Sequence, residues 1–167
     1  MTLQPFIDAG WVIQIHAVSA TIALVLGPLA IYRRKRDQVH KVAGYIWVVA
    51  MALTAMSSFW IHDFAIVWIL SPIHGLAVLA LWSLFVGMRH IFQGRVAQHR
   101  AVFRSLYWNG ALVAGLFNFL PGRVVNRIFF DDYRTAGVYV ILIGATLLGL
   151  RLVRQLEQRK SMLPAQS

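Results

Sequence analysis

The chain has 167 residues and a net charge of +10, with 59% hydrophobic side chains and 13% charged ones. A soluble domain of this size carries about a quarter charged residues, so this balance predicts an all-α integral membrane helical bundle, read as one transmembrane domain over residues 1–167. With no cysteine present, disulfides, thiolate zinc sites and cysteine-ligated iron–sulfur clusters are excluded.

In chain order, the start "MTLQPFIDAGW" has no basic residue before the first apolar run and no small-residue cleavage site, so a signal peptide is not expected. Five apolar runs approach the roughly 20 residues that cross a bilayer. They are Gly10–Tyr32, Val42–Ile61, Ala65–Met88, Ala101–Leu120 and Ala136–Val153. The first four form a core over about residues 10–120, the fifth is an added helix, and residues 154–167 are a tail. Pro121-Gly122 ends the fourth span. The connection "GRVVNRIFFDDYRT" after it is apolar enough for a short helix lying on the membrane interface.

Thirteen of the 16 Lys and Arg fall on one side of such a chain, while only Arg123, Arg127 and Arg134 lie opposite, beside Asp131 and Asp132. The positive-inside rule then predicts the bacterial inner membrane, an outside N-terminus and a cytoplasmic C-terminus. The basic charge is accounted for by topology and by attraction to anionic lipid heads, so lipid and not nucleic acid is the expected partner.

Of the six histidines, His62 in "WIHDFA" and His90 in "RHIFQGR" read as solvated interfacial residues. His16 and His74 lie inside apolar runs. His16 is 16 residues from the charged end of its helix at Tyr32, and His74 is 14 from the same end of its own at Met88. At 1.5 Å per residue these are depths of about 24 and about 21 Å. His40 and His99 form a second matched pair, each just before an apolar run on spans two and four. Ionisable residues in a bilayer usually face a functional partner. Two pairs at two depths on alternating helices are what two bis-histidine haems in a four-helix core require. Ala20, Ala23 and Gly27 follow His16 as a stripe of small residues, and Gly44, Gly75 and Ala77 lie close to the other ligands. The stripe would fit a planar ring or simply close helix packing.

Arg100 and Arg104, just after His99, suit haem propionates or an anionic donor, though snorkelling at a helix end explains them as well. Arg123, Arg127 and Arg134 either neutralise outer propionates or pair with Asp131 and Asp132. Asn109 and Asn118 read as interhelical hydrogen-bonding residues, and Pro72 as a kink that frees the carbonyl of Trp68. Trp11, Trp47 and Trp60 read as interface anchors or packing residues.

The stretches "IHAVSATIALVLGPLAIYRRKRDQVHKVAGYIWV", "IHGLAVLALW" and "AQHRAVFRSLYWNGAL" resemble a group of bacterial membrane proteins, the domain-of-unknown-function 2306 family. The resemblance covers roughly residues 10–120, with span five matched only by hydropathy. The alternating-helix histidines are similar to those of the cytochrome b561 superfamily, transmembrane electron-transfer proteins with two b-type haems. That similarity implies one haem on His16 and His74 and a second on His40 and His99, although no counterpart of an ascorbate pocket is evident.

The expectation is therefore a di-haem b-type cytochrome, a membrane oxidoreductase passing electrons from a quinol or other donor to an acceptor, either alone or as an oligomer. The competing readings are a membrane protein that binds or carries a transition metal on paired histidines, and a non-catalytic accessory subunit.

Overall fold

Among the described residues, five α-helices, a 3-10 turn and a π-helical stretch lie within the first compact unit, Gln4–Gly115, and a sixth α-helix crosses its end. The computed structural model describes residues 3–61, 72–130, 133 and 135–161. His62, Ala65–Ser71, Asp131, Asp132, Arg134 and the end of the tail lie outside these residues, as do the expectations placed on them.

Helix α1 is a single turn, Gln4–Ile7, closed by the Gln14 side chain, which donates to the carbonyls of Phe6 and Ile7 at 3.1 Å each. Helix α2 runs Trp11–Tyr32 and α3 runs Gln38–Ser57, continued by the 3-10 turn Ser58–Trp60. Helix α4 runs Pro72–Phe92. Gly94, at φ 73°, makes the tight turn into α5, Val96–Ser105. A π-helical stretch, Leu106–Ala111, leads on to α6, Leu112–Phe117.

Trp11–Tyr32, Gln38–Trp60, His74–Phe92 and Ala136–Gln158 are long and apolar enough to cross a membrane. The expected span Ala101–Leu120 differs. It is helical from Val96 to Phe117, but as consecutive stretches of 10, 6 and 6 residues, the middle one with i→i+5 bonding.

The packing closes a ring, α2 on α3, α3 on α4, α4 on α5, and α5 with its π stretch back on α2. Helix α2 therefore faces α4 across the ring, and α3 faces α5. Exposed Val25, Val49, Val78 and Phe85 cover its outside, a surface suited to lipid rather than water.

Polar contacts knit α2 to α3 along their length. The hydroxyls of Ser19 and Thr54 meet at 3.0 Å, and Trp47 Nε1 donates to the Ala23 carbonyl at 3.0 Å. Trp47 has no exposed surface and rests on Phe103 with ring centroids 5.2 Å apart. The buried stripe on α2 is Ser19, Ala23, Gly27 and Ala30, with Ala20 only partly buried.

The Gly27-Pro28 pair explains how Tyr107 seats. Proline at 28 has no N–H for the Leu24 carbonyl four residues back, and Tyr107 Oη donates to that carbonyl instead at 3.1 Å. A Cβ on Gly27 would lie 2.2 Å from the Tyr107 ring, so the missing side chain is what admits it.

The second unit begins at Leu116. It holds α7, Val124–Phe130, and α8, Ala136–Ser161. Asn126 is fully buried and donates from Nδ2 to the Phe119 carbonyl at 2.9 Å. Gly137 is required beside it, since an added Cβ would come within 2.1 Å of both groups. Tyr139, Leu142, Ile143 and Leu147 are exposed along α8.

Candidate functional site

At one end of the ring, two histidines converge on the turn that ends α3. His16 Nδ1 lies 3.0 Å from Ser57 Oγ. The Ser57 hydroxyl has one proton, and its own 2.7 Å bond donates that proton to the Leu53 carbonyl. With that proton on the Leu53 carbonyl, Ser57 Oγ accepts from His16 Nδ1–H, the tautomer that leaves the Nε2 lone pair available. His74, on α4 across the ring, is 5% exposed, and its ring stacks on Phe59 at 5.7 Å. His16 and His74 thus meet neighbouring residues, Ser57 and Phe59, of one turn.

At the other end, the charged loop between α2 and α3 shapes a cavity. Asp37 caps α3 by accepting the His40 backbone N–H at 3.1 Å, a contact typical of a helix start. Arg33 grips the same carboxylate with its guanidinium fork, Nε at 2.9 Å on one oxygen and the second nitrogen on the other. These contacts, the Arg33 fork first, hold Asp37 well below the usual carboxylate range. The cap sets where His40 enters the bundle.

His40 and His99 both line a cavity of about 350 Å³ at this end, which is within the size range of small-molecule sites. Its inner wall includes Trp47, Met88, Ile91 and Phe103, and its mouth includes Arg36, Lys41 and Arg100. Gly44 lines it too, and a Cβ there would meet nothing within 4 Å.

His99 Nδ1 lies 2.9 Å from the Gly87 carbonyl, which can only accept, so this ring also donates from Nδ1 and leaves Nε2 free. Gly87 makes the approach possible, since an added Cβ would sit 2.0 Å from the Phe103 ring. The Phe103 ring in turn lies 4.6 Å from His99. His99 precedes the apolar part of its helix. Burial, above all, lowers its affinity for a proton, and the charges of His40, Arg36 and His90 add to this. His40 Nδ1 is buried without a hydrogen-bond partner among the described residues.

The remaining sequence-selected residues fall elsewhere. Arg104 does not line the cavity; its guanidinium lies over the Tyr32 ring, 5.5 Å from the centroid. Asn109 donates to Ser105 of its own helix at 3.1 Å, on an exposed face. Trp11 and Trp60 are exposed. His90, read from sequence as solvated, has a buried Nδ1 without a hydrogen-bond partner among the described residues. Ser57 and Gly87 were not distinguished by sequence, because each matters only through a partner on another helix.

The donor sets suit haem. Each end offers two imidazoles from facing helices, and His16 and His99 have their Nδ1–H groups engaged in the way that orients an axial ligand. Among the described residues no three His, Asp or Glu stand together as a group that could hold a bare metal ion.

A family model described as a predicted membrane protein (DUF2306) matches residues 13–157, and the chain belongs to that family. No curated protein and no solved structure matches it.

Proposed function

We propose that this DUF2306 protein is a membrane b-type cytochrome that carries electrons between the two ends of its helical ring. His16 and His74 are the axial ligands of one haem, and His40 and His99 those of a second. The reading is supported by the placement of His16 and His74, and of His40 and His99, on helices that face across one ring, and by the His99 Nδ1–H bond to the Gly87 carbonyl, which leaves Nε2 free.

Bound haem would supply one-electron chemistry. The chain's own part is to hold the ligand rings. Ser57 and the Gly87 carbonyl fix two imidazoles in the ligating tautomer, Phe59 supports His74, and Asp37 sets the start of the His40 helix. The buried Trp47–Phe103 pair keeps water out of the middle of the ring. Arg100 belongs with the second haem site, whereas Arg104, held over the Tyr32 ring, stands off that cavity. A quinol dissolved in the lipid is the donor we favour, since it reaches membrane-embedded haem directly. The ring sits in a bacterial inner membrane with the basic end, and the C-terminus, in the cytoplasm.

The test is an absorption spectrum of the detergent-purified protein, air-oxidised and then reduced by dithionite or by a short-chain quinol. The reading expects a b-type spectrum reducible by both. A protein expressed with ample haem that remains colourless would end it.

A further inference from the structure

We infer that Arg36, Lys41 and Arg100 form a carboxylate-binding rim that turns the propionates of the inner haem toward the basic end of the ring. This rests on the haem reading above. All three residues line the His40–His99 cavity, and no acidic residue does. A fourth cation on the lining, Arg33, is already matched by Asp37, whereas among the described residues Arg36, Lys41 and Arg100 have no ion-pair partner.

The opposite wall is apolar. Trp47 is fully buried there and Phe103 nearly so. A ligand with a flat apolar body and two carboxylates has one orientation in such a cavity. Turned the other way, it would bury both carboxylates against Trp47 and Phe103 with no donor to meet them, a costly arrangement. Arg and Lys at the mouth supply charge-assisted hydrogen bonds in the favoured orientation. Arg104, held over Tyr32 and off the cavity, serves as a control cation from the same helix.

The experiment loads haem-depleted protein in detergent with haem or with haem dimethyl ester, whose propionates carry no charge. It compares wild type, the triple variant Arg36→Gln/Lys41→Gln/Arg100→Gln, and Arg104→Gln. Haem bound per chain and the midpoint potentials are the readouts. A solvent-screened charged contact is worth about tenfold in affinity, at the low end of its range. Wild type and Arg104→Gln should prefer free haem over the ester at least tenfold at one of two sites. The triple variant should bind that haem at least tenfold more weakly and treat haem and ester alike, with the other haem's potential unchanged. A triple variant that keeps both haems at wild-type affinity, or a wild type indifferent to esterification, overturns the rim and leaves the electron-transfer reading standing. If wild type holds a single haem, its loss in the triple variant supports the rim and its survival overturns it. A wild type that takes up no haem overturns both.

Discussion

One end of the ring holds its histidines by packing, the other around a charged opening. His74 is nine-tenths buried against Phe59, and His16 is tied to Ser57. His40 and His99 instead border a cavity with cations at its mouth. On the proposed haem reading, the same ligand chemistry is set in two environments. Haem potential follows burial and nearby charge, so the cation-rich end should hold the higher-potential haem if charge outweighs burial, and the packed end if it does not. Separate potentials at the two ends are what the proposed electron transfer through a membrane needs.

The residue dividing the two ends gives the largest expected effect. Trp47 is fully buried and bonded to the Ala23 carbonyl, so Trp47→Ala should destabilise the bundle by about 3–5 kcal/mol. Thermal unfolding in detergent should show it, together with a blurring of the two potentials as the charged opening deepens. Gly87→Ala comes next. Its new methyl overlaps the Phe103 ring, and overpacking of this kind costs about 1–3 kcal/mol. Because α5 must shift, His99 loses the Gly87 carbonyl, and the haem at the basic end alone should be lost. Loss at both ends would mean that the ends are not independent.

Ser57→Ala sharpens the contrast from the other side. It removes the acceptor for His16 Nδ1–H, a hydrogen bond worth about 1 kcal/mol. It should lower the retention of the haem on His16 and His74 and leave the other unchanged, read as haem per chain after gel filtration. Acid gives the smallest effect. His99 favours its neutral form when folded, chiefly through burial, relative to an ordinary histidine at 6.5. Below that pH the unfolded chain takes up its proton first, so the stabilisation present above 6.5 is lost as pH falls. Haem-depleted protein should show a modest fall in melting temperature from pH 7 to pH 5 that His99→Gln reduces.

Much of this architecture was legible in apolar runs, because a membrane span is read from length and composition. The first span was placed to within a residue of α2. The second begins earlier than hydropathy suggests, at Gln38, because Asp37 caps a helix whose first turn is polar. Hydropathy gave no sign that the fourth run would change to π bonding at Leu106–Ala111, since that depends on neighbouring helices. Tyr107, in that stretch, packs into the Gly27 notch and bonds Leu24. The pairing of histidines could be counted from the sequence. Their hydrogen-bond partners could not, as Ser57 and Gly87 are distant in sequence and ordinary in type. The cavity mouth was partly visible: Arg100 was selected, while Arg36 and Lys41 were absorbed into the count of topological charges.

The most direct test of the central claim is a pyridine haemochrome count per chain in wild type, His74→Ala and His99→Ala. If each diagonal of the ring carries its own haem, wild type holds two, and each variant keeps one, with different potentials in the two variants. A wild type without haem, or variants that keep the full wild-type complement, would contradict it.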